Sequence, residues 1–359
     1  MGSYTLGVLT GDGIGEEVVP ASTELVDAVI AVTGATVEWL PLPFGWQGLR
    51  ECGDPMPSET KTALEGTDGW ILGPHDSAAY PAEWQALRRP MPGGELRRDF
   101  QLYANVRPAR NFPGVESLIS GTDLVVVREN TEGFYCDRNM FLGHGELMPS
   151  PDVALAIGVF TRAAIERVMV DAFELAQQRG GLLSVVHKAN ALKASTGLYR
   201  TIAQEMAPRY PGVKVDDYHV DAMAALLVRR PQSFDVIVTE NMFGDILSDL
   251  AGELVGGLGL GAALNAGASH AMAQAVHGSA PDIAGKDIAN PVAEMLSSMM
   301  LLRWLGTRHE DATMLEAAQL GEAAVIRTLT EGKRTRDIGG ELGTKAFAEA
   351  VLSRVSTDA

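Results

Sequence analysis

Along the chain, short apolar runs alternate with longer stretches in which apolar positions return every three or four residues. The runs at 5–9, 36–40, 70–72, 124–127, 183–186 and 236–238 have the length and composition of strands. The longer periodic stretches at 16–32, 151–179, 291–305 and 312–330 read as helices, the last as an amphipathic surface helix. Strands alternating with helices predict an α/β chain on a largely parallel sheet. Residues 41–57 and 90–94 are rich in Pro and Gly and predict loops. Residues 141–150 carry two glycines and a proline after an apparent strand, which predicts an arm or hairpin reaching away from the body. There is no internal repeat and no low-complexity tract.

A chain of 359 residues can bury a substantial core and is expected to divide into two domains. Its hydrophobic fraction of 46% and charged fraction of 21% are those of a soluble globular protein. The formal charge of −17 argues against a nucleic-acid or anionic-membrane partner, so any basic site for an acidic ligand must be local. Two cysteines, Cys52 and Cys136, cannot build a disulfide framework. With no secretory leader and no apolar run long enough to span a bilayer, the reading is a cytoplasmic protein.

The segment NMFGDILSDLA places Asp245 and Asp249 four positions apart, on one face of a helix. Two carboxylates that close need a positive charge between them, and a hard divalent cation held by oxygen ligands is the simplest candidate. The flanking Met242, Phe243, Ile246, Leu247 and Leu250 argue against a merely solvated acidic face.

Arg97, Arg107 and Arg128 each follow or interrupt an apolar segment. Guanidinium groups bind carboxylates bidentately, so convergence of the three would recognise a di- or tricarboxylic acid chelated to the metal. Tyr135 is a candidate proton donor, and Lys188 ends a buried-looking strand where a nearby cation would lower its pKa. Asp221 is either a third metal ligand or a helix cap. The run TGDGIG follows a strand and opens a helix, but the third glycine of a dinucleotide fingerprint would fall on Glu16, whose carboxylate opposes a pyrophosphate. A tight turn that lets backbones pack closely is the better account.

With these residues in hand, the chain resembles the β-decarboxylating dehydrogenases, the family of isocitrate, isopropylmalate, homoisocitrate and tartrate/D-malate dehydrogenases. The resemblance runs from GDGIG at residue 11 to RTRDIGG at residue 334, and is most specific in NMFGDILSDLAGELVGGLGL and HGSAPDIAGKDIANP. It implies an isocitrate/isopropylmalate dehydrogenase-like fold, not Rossmann, with two domains around a mixed, mostly parallel sheet. The large domain would comprise 1–101 plus 253–359, and a central domain, 102–252, would dimerise through an arm near 136–150. The resemblance assigns Arg97, Arg107 and Arg128 to substrate carboxylates, Tyr135 and Lys188 to proton transfer, and Asp221, Asp245 and Asp249 to Mg²⁺ or Mn²⁺. Each active site would be shared by two subunits of a homodimer, the lysine and one aspartate crossing the interface. His277, Gly278, Ser279, Ala280, Asp282, Ile283 and Asn290 would hold the cofactor, and Asp282 points to NAD, because a carboxylate accepts from both ribose hydroxyls and repels a 2′-phosphate.

The implied activity is oxidative decarboxylation of a 3-substituted malate. The turn before Arg97 reads Met91, Pro92, Gly93, Gly94, Glu95, and its glycines cannot pack an isopropyl group as a leucine pair would. For want of a cation to hold a third carboxylate, a 3-isopropylmalate-like substrate ranks first, ahead of D-malate or tartrate, then homoisocitrate and isocitrate. A regulatory, non-catalytic subunit is the rival of another class; it would be expected to lose the tyrosine, the lysine or an aspartate.

Overall fold

The computed structural model describes residues 2–86, 91–135 and 145–355. The chain begins with β1 (Ser3–Leu9), α1 (Gly15–Thr33), β2 (Thr36–Pro41), α2 (Gly45–Cys52), α3 (Ser58–Leu64) and β3 (Gly69–Leu72). After α4 (Ala82–Gln85) and α5 (Pro92–Asp99) come β4 (Ala104–Arg110), β5 (Asp123–Glu129), β6 (Glu146–Ser150), β7 (Val153–Ala156) and α6 (Arg162–Gln178). There follow β8 (Leu182–His187), α7 (Gly197–Met206), β9 (Lys214–His219), α8 (Val220–Arg229), β10 (Val236–Thr239) and α9 (Asn241–Val255). The chain closes with β11 (Leu264–Ala266), β12 (Ala271–Ala273), α10 (Val292–Arg308), α11 (Ala312–Thr330) and α12 (Thr344–Leu352).

Ten strands form one sheet in the order β2-β1-β3-β12-β11-β4-β5-β10-β8-β9. Pairing is parallel except around β11 and β4, which run antiparallel to their neighbours. One half of the sheet therefore comes from both ends of the chain and the other from its middle. Helices α1, α10, α11 and α12 bury one apolar cluster against the first half. Helices α6 and α7 cover one face of the second half, and α8 and α9 the other. No helix among the described residues is long and apolar enough to cross a membrane.

All six anticipated strands form, and helix 312–330 has the anticipated limits. Four sheet strands escaped the apolar pattern. β4 reads ANVRPAR and β9 KVDDYH, while β11 and β12 have three residues each. Pro108 is tolerated in β4 because β11 pairs only with Ala104–Val106, so the missing N–H interrupts no ladder there.

The helix anticipated over 151–179 begins instead at Arg162, where the Thr161 hydroxyl accepts from the Ala164 N–H. Val153–Ala156 is a strand that returns against β6, forming the anticipated hairpin; its first part, 141–144, and Cys136 lie outside the described residues. The supposed loop at 41–57 contains α2, ended by Gly53 in the left-handed conformation. Pro92 opens α5 as an N-terminal proline can, which puts Gly93 and Gly94 in a helical turn; Pro90 lies outside the described residues.

Candidate active site

Four parallel strands, β5, β10, β8 and β9, present their carboxyl ends along one edge of the sheet. Arg128, next to last in β5, is only 2% exposed, and α9 starts just after β10. Glu240 caps that helix, its carboxylate accepting from the N–H groups of Met242 and Phe243. Gly244 lets α9 lie directly on Arg128, since a Cβ at that position would fall 2.7 Å from the arginine's Cβ. Asn241 accepts from Arg128 Nε at 2.9 Å, and Arg128 Nη1 pairs with Asp245.

Arg107 arrives from β4, the neighbour of β5. Its Nη1 lies 3.3 Å from both Asp245 and Asp249 and donates to Ser248 Oγ at 2.8 Å. Within one chain, the positive charge between the two aspartates is thus Arg107. The Tyr135 hydroxyl donates to Asp245 Oδ2 at 3.1 Å, and the Arg128 guanidinium lies over its ring. Of the flanking residues, Phe243 and Leu247 are buried, but Ile246 is 59% exposed.

The electrostatics of the two aspartates differ. Burial opposes ionisation of Asp245, yet Arg128 and Arg107 outweigh it and hold its pKa below the ordinary carboxylate value. Asp249 is raised, by burial and by the neighbouring Asp245 charge, which Arg107 only partly offsets. Burial, then Arg128, pushes Arg107 down to about 10.

Arg97 projects from α5, and its Nη2 donates to Gln274 Oε1 at 2.9 Å. Arg97, Arg107, His75 and Gln274 line a cavity of about 170 Å³, and His277 and Gly278 line it as well. The structure so brings two of the anticipated carboxylate-binding arginines onto the same space as the start of the anticipated cofactor segment. His277 Nδ1 faces the Gly278 carbonyl, while Nε2 is buried without a hydrogen-bond partner among the described residues. Burial lowers the ring's pKa.

The rest of that segment leans on the TGDGIG turn. Ile14 N–H donates to the Ser279 carbonyl at 2.9 Å, and a Cβ on Gly13, at φ +60°, would lie 2.1 Å from that oxygen. Ala280 takes a positive φ of 39°. Asp282 and Ile283 follow in the turn, where Lys286 Nζ donates to the Asp282 carbonyl. Asn290 donates to Asp337 and accepts from the Val292 N–H.

Lys188 and Asp221 stand apart from this cluster. They pair with each other at 2.6 Å, Lys188 just beyond β8 and Asp221 in the first turn of α8. Strand spacing puts them on the order of 10 Å or more along the sheet edge from Arg128. Asp221 is not the N-cap, which is His219; its side chain is 67% exposed, and the Lys188 ammonium lowers its pKa. Among the described residues no three acidic, His or Cys side chains of one chain gather as a metal site.

Sequence reasoning missed His75, Gln274, Asn105 and Asp12. Asp12 is buried and accepts from the N–H groups of Trp46 and Asp76 and from the Tyr80 hydroxyl, tying the glycine turn to the loop that carries His75. The signal for Asp12 was a carboxylate between two glycines; nothing local distinguished Gln274.

A family model described as isocitrate/isopropylmalate dehydrogenase matches residues 5–351. An isocitrate/homoisocitrate dehydrogenase of Thermus thermophilus is 42% identical over 359 residues, covering 99% of both chains. A 3-isopropylmalate dehydrogenase of Archaeoglobus fulgidus is 42% identical over 354 residues, covering 96% of this chain and 98% of its own. The crystal structure of isocitrate dehydrogenase from Methylococcus capsulatus superimposes with a TM-score of 0.87 at 38% identity, covering 98% of this chain and 99% of that one. The chain therefore belongs to the isocitrate/isopropylmalate dehydrogenase family, oxidoreductases that act on hydroxy acids with loss of a carboxyl group.

Proposed function

We propose that this protein catalyses the NAD-dependent, metal-assisted oxidative decarboxylation of a 3-substituted (R)-malate. The observation that carries the reading is the single cavity lined by Arg97, Arg107, His277 and Gly278. Arg97, Arg107 and Arg128 hold the substrate carboxylates, a role suited to forked, permanently charged donors.

The residues fit a divalent cation and a nicotinamide cofactor. The Asp249 side chain is 49% exposed with a raised pKa, so a cation beside it supplies the charge that Arg107 only partly provides. The orphaned His277 Nε2 suits a polar ligand group, and Asp282 suits unphosphorylated ribose. When bound, the cation polarises the hydroxyl and carbonyl oxygens, and NAD accepts the hydride. Lys188 takes up the hydroxyl proton, and Tyr135 returns a proton to the carbon that loses its carboxyl group.

Lys188 and Asp221 reach the site from a second copy of the chain. The apolar residues exposed on the β6–β7 hairpin, including Leu147, Met148 and Leu155, together with Val228 on α8 and Ile246 on α9, supply the surface that a homodimer covers. The lobes are 1–101 with 253–359 and 102–252, and the compartment is the cytoplasm.

Purified protein with Mn²⁺ and NAD should reduce NAD with one or more acids of a panel comprising 3-isopropylmalate, D-malate, tartrate, isocitrate and homoisocitrate. Absence of turnover with all of them would end the reading. Mixing impaired Tyr135→Phe and Lys188→Ala subunits regenerates one native site per hybrid dimer, so activity above that of either variant supports sharing and its absence refutes it. The relatives' names span isopropylmalate, isocitrate and homoisocitrate, so they do not choose among the acids.

A further inference from the structure

Lys188 stands just beyond β8, and the backbone around it is fixed on both sides. Its N–H donates to the Thr196 hydroxyl at 2.9 Å, and its carbonyl accepts from the Ala191 and Leu192 N–H groups. The next N–H, that of Ala189, donates to His187 Nδ1 at 3.1 Å. A backbone N–H can only donate, so Nδ1 is the lone-pair nitrogen and Nε2 carries the ring proton. Nε2 donates in turn to Asp217 Oδ2 at 2.9 Å, and Asp217, on β9, also pairs with Arg200 of α7.

This run of contacts lies on the far side of the sheet from the lysine's own side chain. His187 is 1% exposed and shares a face with Leu183 and Val185, the face that α6 and α7 cover. Lys188 Nζ reaches Asp221 in the first turn of α8, a helix of the opposite face. The two strand ends are in register, His187 opposite His219, with the rings edge to face at 5.4 Å. His187 does not line the cavity of Arg97 and Arg107, and both of its ring nitrogens are engaged, so it offers no group to a substrate.

Resting on the role proposed above for Lys188, we infer that His187, held by Asp217, is a positioning residue for the reaction. It fixes the peptide that follows Lys188, and with it the direction from which the ammonium group enters the second subunit's site. A misplacement of about 1 Å can cost about a hundredfold in rate, so the effect falls on turnover.

The test uses the full-length enzyme with Mn²⁺, NAD and the acid it turns over fastest. His187→Asn keeps an acceptor near Nδ1 for the Ala189 N–H, whereas His187→Gln reaches toward Asp217 and leaves that N–H unpaired. In His187→Gln kcat should fall at least about tenfold, and in His187→Asn it should stay within about threefold, KM being little changed in both because the arginines are untouched. Asp217→Ala alters a part-exposed side chain and frees Nε2, so it should lower kcat by about threefold or more even if His187→Gln does not fold. Mixed dimers assign the effect to the lysine. His187→Gln with Tyr135→Phe subunits should exceed the activity of either variant, since one site has both residues intact, and His187→Gln with Lys188→Ala subunits should not. Equal loss in the Asn and Gln variants, a raised KM in place of a lowered kcat, or recovery against Lys188→Ala overturns the inference and leaves the proposed function standing. A Lys188→Ala enzyme as active as wild type overturns the lysine's proposed role and the inference together.

Discussion

The two sides of β4 face different chemistry. Asn105 and Arg107 line the polar cavity with Arg97 and Gln274, whereas Val106, Pro108 and Arg110 line a larger cavity of about 340 Å³ with Leu296, Met299 and Trp304. The neighbouring segment repeats the pattern: Ala263 and Asn265 on the polar side, Ala262 and Leu264 on the other. Alternation along a strand is thus enough to put a reactive site and a packing seam back to back, one residue apart.

The arginines follow the same division. On the apolar side Arg110 and Arg303 both pair with Glu322, and Arg179 with Asp123 and Asp235, so those charges hold the rim together. On the polar side Arg107 and Arg128 crowd a common carboxylate, Asp245. Positive charge is in excess there, suited to a polyanion, although the chain as a whole is strongly acidic.

The comparison breaks first at Arg107. Arg107→Met leaves Asp249 without its guanidinium and Asp245 with Arg128 alone; both carboxylates are partly exposed, so the fold should lose little and the effect should fall on catalysis. Steady-state kinetics should show kcat/KM down by about a thousandfold; a change under tenfold would mean that Arg107 does not face the substrate. Tyr135→Phe removes only a hydroxyl, and should lower kcat by about a hundredfold with the melting temperature nearly unchanged. Equal loss of both would make the tyrosine structural.

Across the strand, Leu264→Ala should do the opposite. A buried leucine truncated to alanine costs about 2–5 kcal/mol of stability, read as a lower midpoint in urea, while kcat stays within about threefold. A selective loss of activity would abolish the division between the two sides.

The smallest expected effect concerns Glu294, in the first turn of α10, which is fully buried and accepts from the Ala275 N–H at 3.0 Å. Burial pushes its pKa up to about 8. The unfolded chain ionises this carboxyl from its ordinary value near 4.5 upward, whereas the fold keeps it protonated until about 8. Its favourable contribution is complete below the unfolded value and is lost as pH rises through the folded one. Glu294→Gln should therefore raise the melting temperature by a few degrees at pH 9 and leave it little changed at pH 4; the reverse dependence would show that the carboxyl is charged in the fold.

Much of this protein was legible in the sequence because the relevant signals are local. Apolar runs marked the central strands, the four-residue spacing put Asp245 and Asp249 on one helix face, and the Glu16 mismatch argued for a packing turn at TGDGIG. Polar strands such as β4 and β9 were invisible, since their apolar neighbours come from distant parts of the chain. The start of α6 was misplaced because Val153–Ala156, apolar enough to extend the helical pattern, pairs instead with β6 across a tight turn.

Sequence by itself determined the family, the alternating architecture and which residue types carry charge near the site, since motif and periodicity are properties of neighbouring residues. Only the tertiary structure decided that Arg107 stands between the aspartates, that Lys188 and Asp221 pair away from them, and that His75 and Gln274 line the cavity of Arg97 and Arg107. Arg107 is 138 residues from Asp245 and Lys188 is 33 from Asp221, and the sheet order, fixed by burial of apolar faces on both sides, brings such partners together or keeps them apart.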